Sequence, residues 1–178
     1  MTAMEVTAGT SELALASTYE LMAHALAIEI EACERYTELA DIMETHNNRD
    51  VADLFRRMAE IEGRHAQSIR AEMGWPADEA PVVERPAAEG PETVEPGDLH
   101  YLMQPYHALE VALAAEERAE RFFSELAESA TADSVRAAAR SLAEEEREHV
   151  QLVREWMERV PRPTRDWEVD PDPPRYNE

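Results

Sequence analysis

The stretch "LAEEEREHVQLV", residues 142–153, decides the fold because it shows which side of a helix must be buried. It places four glutamates within five positions, followed by one histidine. Apolar residues on both sides of these acids recur at helical steps and form a row, here called a seam: Val135, Ala139, Leu142, Val153, Trp156 and Val160. The same steps of four and three continue through the acids at Glu146 and His149. These two side chains are therefore predicted to face the interior.

Three other segments carry a similar seam, and polar residues interrupt each one near its middle. In chain order the interrupting residues are Glu29, Glu62, His65 and Glu116. Within each pair of segments these positions are about equally far from the turn that joins them, which lies near residues 46–47 or 131–132. Such positions share a level in an antiparallel hairpin. The polar residues are therefore predicted to meet in one layer of the core.

Helix start and stop signals outline four long helices, over about residues 18–45, 50–73, 105–130 and 133–160. Ser17 and Glu20 have the spacing of a capping box before the first helix. Gly74 follows the second helix as a typical stop signal, and Pro105 suits the first position of the third. Short turns predict two antiparallel hairpins.

Residues 74–104 form a connector whose prolines recur every five positions, at 76, 81, 86, 91 and 96. A Pro-rich segment favours an extended conformation, and about 30 residues at ~3.1 Å each exceed the length of one bundle helix, roughly 40 Å. The prediction is therefore an all-α four-helix bundle with a long Pro-rich crossover. Residues 1–160 form the domain. Residues 161–178 form an acidic Pro-rich tail, either an extended arm packed on this bundle or a neighbour, or a docking peptide.

The formal net charge of −22 restricts the partners of the chain. It would repel nucleic acid and anionic membrane surfaces, and it would concentrate cations. We see neither a signal-peptide pattern nor an apolar run of about 18 residues, so we expect a cytoplasmic protein outside the membrane. The single cysteine, Cys33, leaves no internal disulfide and no Cys-rich metal site.

The four predicted core glutamates need positive charge close by. An unpartnered buried carboxylate costs several kcal/mol or becomes protonated, and no lysine or arginine occupies the seam positions beside them. Two divalent metal ions would balance four carboxylates, and neutral histidines would complete their coordination. One glutamate from each of two helices and a Glu-x-x-His pair from each of the others is the arrangement of di-iron and di-manganese carboxylate proteins.

At these residues the chain resembles the rubrerythrin-like di-iron domains of the ferritin-like superfamily, in outline over residues 18–160. "AIEIEACERYTELA" with "AEIEGRHA" follows the family pattern of a glutamate, a tyrosine seven residues later, and Glu-x-x-His. "AAEERAERFFSELA" with "AEEEREHV" repeats it, with Phe123 in place of Tyr36. The resemblance implies two iron ions, or manganese, held by terminal ligands, bridging ligands and one histidine each: Glu29 and Glu116, Glu62 and Glu146, His65 and His149.

Two departures from the family pattern bear on activity. Rubrerythrins carry a rubredoxin domain with cysteine pairs that delivers electrons, and these residues contain no such pair. They also carry a further glutamate one turn before the third-helix ligand, where this chain has Leu113. Electrons are therefore expected from Fe²⁺ or from a separate donor protein.

Several other residues near the predicted site have competing interpretations. Tyr36 either hydrogen-bonds a metal ligand or packs in the core, and Cys33 is either redox-active or a small buried side chain. Glu120 is either an additional ligand or a boundary residue that reaches solvent, whereas Glu117 lies off the seam. The histidines at 24, 46, 100 and 107 match no ligand spacing and are predicted at the surface or an interface.

Three functions remain open from the sequence. The first is a non-haem di-iron oxidoreductase, of ferroxidase or peroxidase type, that reacts with O₂ or peroxide. The second is iron storage or handling within a larger shell, and the third is a non-enzymatic, metal-stabilised interaction module. We expect a homodimer or a higher homo-oligomer.

Overall fold

The computed structural model describes residues 17–77, 81 and 102–163, and this part of the chain contains four α-helices and no strand. The helices are α1, Thr18–Thr45; α2, Arg49–Met73; α3, Pro105–Ser129; and α4, Asp133–Arg159. Their bounds differ from the predicted ones by at most one residue. The predicted all-α, ferritin-like four-helix bundle is confirmed.

The helix ends follow from local chemistry. The Ser17 hydroxyl accepts a hydrogen bond from the backbone N–H of Glu20 at 3.2 Å and caps α1. Gly74 ends α2 at φ 67°, a left-handed conformation that a residue with a Cβ adopts only with strain. Pro105 begins α3, where its missing N–H has no helical acceptor to lose.

The helices pair as two hairpins, α1 with α2 and α3 with α4. The side-chain amide of Asn48, just before α2, donates to the carbonyl oxygen of Met103, just before α3, at 2.6 Å. The two helices therefore start at the same end of the bundle and run in the same direction. The predicted long crossover and the predicted C-terminal arm lie mostly outside the described residues.

Two apolar clusters fill the ends of the bundle and leave a polar layer between them. The cluster near Asn48 includes Met43, Phe55 and Leu109, and the cluster at the opposite end includes Leu26 and Phe123. The predicted seam glutamates lie between the two clusters. Of the helices in the described part of the chain, none combines the length and the apolar character needed to cross a membrane.

Candidate metal centre

Four buried glutamates, one from each helix, form the centre of the bundle. The relative exposures of Glu29, Glu62, Glu116 and Glu146 are 1%, 0%, 0% and 0%, and we call these residues the carboxylate cluster. Each occupies the seam position that the sequence predicts. Side chains at seam positions point into the core along the whole helix, and these four are therefore shielded from solvent.

The oxygens of two cluster members have no well-aligned hydrogen-bond donor among the described residues. Both carboxylate oxygens of Glu62 and both of Glu146 are inaccessible to solvent, and His149 Nδ1 lies 3.4 Å from Glu146 without forming a hydrogen bond of good geometry. Burial, together with the negative charges of Glu116 and Glu29, raises the pKa of Glu62 well above its usual value. Burial also raises the pKa of Glu146, although the nearby His149 opposes the shift. Both side chains therefore need a positive partner before they ionise readily.

His149 is the histidine that enters the cluster. Its Nδ1 atom lies 3.1 Å from an oxygen of Glu116, 3.4 Å from one of Glu146 and 4.0 Å from one of Glu62. Burial lowers the pKa of His149, but its hydrogen bond to Glu116 and the close carboxylate of Glu146 outweigh burial and raise the pKa to about 11. Without metal, His149 is therefore cationic. It supplies a single positive charge against the four glutamates.

The donor atoms of this centre fit a metal ion. One ligand atom each from Glu62, Glu116 and His149 lie within 4.8 Å of one another, and all three residues are buried. The unsatisfied oxygens of Glu62 and Glu146 would gain the cation that they lack. Carboxylate oxygen with imidazole nitrogen, and no thiolate, suits iron or manganese better than a structural zinc site.

Tyr36 packs against the same layer from α1. Its hydroxyl donates a hydrogen bond to Glu116 Oε1 at 3.0 Å, and its ring stacks on Phe55 with centroids 6.0 Å apart. Glu116 is thus held on one oxygen by Tyr36 and on the other by His149. Of the two interpretations of Tyr36, this geometry favours the hydrogen bond to a predicted ligand.

The structure places His65 at the edge of the centre. Its side chain is 24% exposed, and its Nε2 atom lies 3.2 Å from Nε2 of His149. Among the described residues, Glu145 supplies the one carboxylate within 4.0 Å of a His65 ring nitrogen, at 3.7 Å from Nδ1. Burial, followed by the charges of His149 and Arg64, lowers the pKa of His65 to about 4. His65 thus contacts the carboxylate cluster through His149, and its predicted role as a nitrogen ligand stays a prediction.

Most of the other candidate residues lie away from the cluster. Glu120 is partly exposed and accepts a hydrogen bond from Arg147 at 2.9 Å, as expected of a boundary residue. Glu117 forms an ion pair with Arg154 at the surface. Cys33 is half-buried against the apolar core, and burial raises the pKa of its thiol, which disfavours the reactive thiolate.

The prediction for His107 is wrong. This side chain is 6% exposed, and its Nδ1 atom accepts a hydrogen bond from the backbone N–H of Gln104 at 3.1 Å. His107 thereby satisfies a free donor at the start of α3, which is a structural role. The spacing Gln-Pro-x-His around Pro105 carries this capping signal. His100 lies outside the described residues.

A groove between α2 and α4 leads from the surface to this centre. Its volume is about 600 Å³, and His65 and His149 lie at its inner end. Ile61, Leu152 and Trp156 contribute apolar walls. The other predicted ligands are almost fully buried, so this groove is the side on which the centre approaches solvent.

A family model and one solved structure agree with this architecture. A family model described as Rubrerythrin matches residues 20–97 and 107–173. A solved structure of an uncharacterized conserved protein from Magnetospirillum magnetotacticum MS-1 is 39% identical; the match covers 84% of this chain and 99% of that one, with a TM-score of 0.61. A hypothetical protein from Pyrococcus furiosus is 23% identical over 84% and 93% of the two chains, with a TM-score of 0.49. No curated protein sequence matches this chain.

Proposed function

Because the chain belongs to the rubrerythrin family, we propose that it is a non-haem di-iron oxidoreductase that couples the oxidation of iron to the reduction of peroxide or O₂. The observation that carries the proposal is the buried carboxylate cluster, in which no described residue provides a well-aligned hydrogen-bond donor for any of the four oxygens of Glu62 and Glu146. Buried carboxylates without a partner destabilise a protein core and do not help it to fold. A pair of cations between the helices would neutralise them.

Charge balance supports two ions rather than one. Four carboxylates carry four negative charges when ionised, and His149 becomes neutral when its Nδ1 atom binds a metal. Two divalent ions then match the cluster. In this assignment Glu62 and Glu146 would bridge the ions, with Glu29 and Glu116 as terminal ligands and with His65 and His149 as one nitrogen ligand each.

The residues around the cluster orient one of its carboxylates, exclude bulk water and leave space for an oxidant. When bound, two ferrous ions would supply the two electrons that reduce one peroxide molecule, with two protons, to two waters. Tyr36 orients Glu116 through its hydroxyl, and the apolar clusters at both ends exclude bulk water. The α2–α4 groove provides room for a small oxidant to approach His149.

The reductant has to come from outside these residues. One cysteine cannot build a rubredoxin-type iron centre, which needs four thiolates. Fe²⁺ itself or a separate donor protein would therefore return the site to its reduced state. The net charge of −22 favours the approach of Fe²⁺.

A stopped-flow experiment tests the proposal. Protein loaded anaerobically with two Fe²⁺ per chain is mixed with peroxide or with O₂, and absorbance is followed. We expect one fast oxidation that then stops, and that resumes when excess Fe²⁺ or a reduced donor is added. Loaded protein that neither oxidant oxidises would refute the oxidoreductase function and favour the metal-stabilised interaction module.

Iron handling is the second candidate, and the strong negative charge is the observation that favours it. The same site would then oxidise Fe²⁺ in order to store it. The two functions differ in where the iron ends: a storage protein retains many ferric ions per chain after repeated Fe²⁺ additions, whereas an oxidoreductase retains about two. Iron analysis after gel filtration distinguishes them.

A further inference from the structure

The α2–α4 groove is larger than O₂ or hydrogen peroxide requires. Its volume is about 600 Å³. A water molecule takes up about 30 Å³ of liquid, and hydrogen peroxide is larger by one oxygen atom only. Pockets of about 300–1,000 Å³ are those that bind whole small organic molecules. The groove therefore has room for an oxidant that carries an organic group.

The sheltered part of the groove is apolar. Apart from the two histidines at its inner end, every lining residue that is not exposed is apolar: Ile61, Leu152 and Trp156. We call these three residues the apolar wall. Leu152 and Trp156 also pack against the apolar cluster near Asn48, which holds them in place. An alkyl or aryl group that binds on this wall would be removed from water, and the indole of Trp156 provides an aromatic face for it.

The charged residues of the groove lie on its exposed rim, and their charges balance. Glu155 forms an ion pair with Arg159 at 3.5 Å. The other charged lining residues are two arginines and two glutamates, all exposed: Arg57, Arg64, Glu60 and Glu148. A balanced rim gives an anion no net attraction, and the charge of −22 on the whole chain repels it. The groove therefore favours an uncharged ligand.

We propose that the oxidant is a neutral organic hydroperoxide, whose alkyl or aryl group binds the apolar wall while its peroxide group reaches the inner end of the groove. His149, at that end, contacts the carboxylate cluster. This inference rests on the proposed function, because ferrous iron in the cluster would provide the electrons. The O–O bond breaks, the hydroperoxide takes up one electron from each of two ferrous ions, and two protons from solvent complete one alcohol and one water.

Stopped-flow kinetics tests the substrate class. Protein loaded anaerobically with Fe²⁺ is mixed with cumene hydroperoxide or with hydrogen peroxide. We expect the oxidation rate to level off as cumene hydroperoxide is raised, because this compound binds before it reacts, and to rise linearly with hydrogen peroxide. Cumene hydroperoxide with a carboxylate in the para position should react more slowly than cumene hydroperoxide itself. A faster reaction of the carboxylate would overturn the assignment of a neutral substrate.

Trp156 is the residue of the apolar wall that variants test best. Trp156→Ala should lower the ratio of the cumene hydroperoxide rate to the hydrogen peroxide rate by about tenfold, whereas Trp156→Phe, which keeps an aromatic ring, should lower it less. Both rates are measured on the same loaded protein, so a general loss of the site leaves their ratio unchanged. Trp75→Ala is the control, since Trp75 is also partly buried but packs against the cluster at the opposite end. An unchanged ratio in Trp156→Ala would overturn the proposal.

NMR of Zn²⁺-loaded protein measures binding without any reaction. The probe is cumyl alcohol, the product of cumene hydroperoxide reduction, and the indole N–H signal of Trp156 is assigned with Trp156→Phe. We expect this signal to shift and saturate as the alcohol is added, while the signal of Trp75 stays in place. If hydrogen peroxide oxidises the loaded protein but cumene hydroperoxide does not, or if the alcohol produces no saturable shift, the inference is overturned and the proposed function stands. If no oxidant oxidises the loaded protein, the proposed function fails and the inference fails with it.

Discussion

At the scale of single residues, Glu62 shows why a buried carboxylate needs a cation close by. It is fully buried, neither of its oxygens has a hydrogen-bond donor among the described residues, and burial and two other carboxylates raise its pKa. His149, which contacts the carboxylate cluster, can balance only one negative charge. The free energy needed to ionise Glu62 therefore depends on which cation binds between the helices.

Loss of Glu62 should empty the site. We expect Glu62→Ala to lose most of its bound metal, because a bridging ligand contacts both ions and its removal weakens both. Metal analysis of protein purified with Fe²⁺ or Mn²⁺ checks this. Glu144→Ala is the control, since Glu144 is 63% exposed, and equal metal loss in both variants would contradict the seam assignment.

The raised pKa of Glu62 predicts a pH-dependent stability of the metal-free protein. A carboxyl group whose pKa is raised by folding contributes stability below its unfolded value of 4.5, and this contribution is lost as the pH rises through the raised folded pKa. Glu62→Gln, which stays neutral, should therefore be more stable than the metal-free wild type at neutral pH, with a smaller difference near pH 4. Urea unfolding across this range measures it. A wild type that is the more stable at neutral pH would contradict the shift.

Tyr36 should affect metal binding more than folding. Tyr36→Phe keeps the ring on Phe55 and removes the hydrogen bond to Glu116. We expect a loss of about 1 kcal/mol in the free energy of unfolding and a roughly tenfold loss of metal affinity. Calorimetry with Co²⁺ measures the affinity. Tyr106→Phe, in a half-buried tyrosine near Arg162, should leave it unchanged.

At the scale of the helices, α2 and α4 line the groove, and the site depends on the space between them. Leu152→Trp should fill part of the groove and slow the oxidation of Fe²⁺-loaded protein by peroxide severalfold, at unchanged metal content. Stopped-flow rates measure the effect. Leu54→Trp is the control. Leu54 and Leu152 are both partly buried against the apolar cluster near Asn48, but Leu54 does not line the groove. This variant should therefore keep the wild-type rate. Equal slowing of both would point to a general packing defect.

At the scale of the whole molecule, the charge of −22 should act on the arrival of Fe²⁺ rather than on the reaction with oxidant. Salt screens attraction beyond about 10 Å at 0.1 M, so raising NaCl should slow the uptake of Fe²⁺ by the metal-free protein. Peroxide is neutral, and its reaction with preloaded protein should change little with salt. Stopped-flow series at several salt concentrations separate the two steps. Uptake that is insensitive to salt would contradict electrostatic delivery.

The sequence by itself determined the architecture and the composition of the central layer. Residues at steps of three and four share one face of any helix, so the apolar seam identified Glu146 as inward and Glu144 as outward before any contact was known. Helix lengths and the short turns determined the two hairpins. These features are local or periodic, and local geometry is encoded in neighbouring residues.

Only the tertiary structure decided how the side chains of that layer meet. His65 occupies a seam-like position, yet it contacts His149 and lies near Glu145 instead of entering the cluster, and Tyr36 reaches Glu116 across the bundle. The α2–α4 groove likewise cannot be predicted from one segment of the sequence, because residues of two helices line it. The physical reason is that these relations depend on the distance and rotation between helices and on side-chain rotamers. Periodicity within one helix specifies neither.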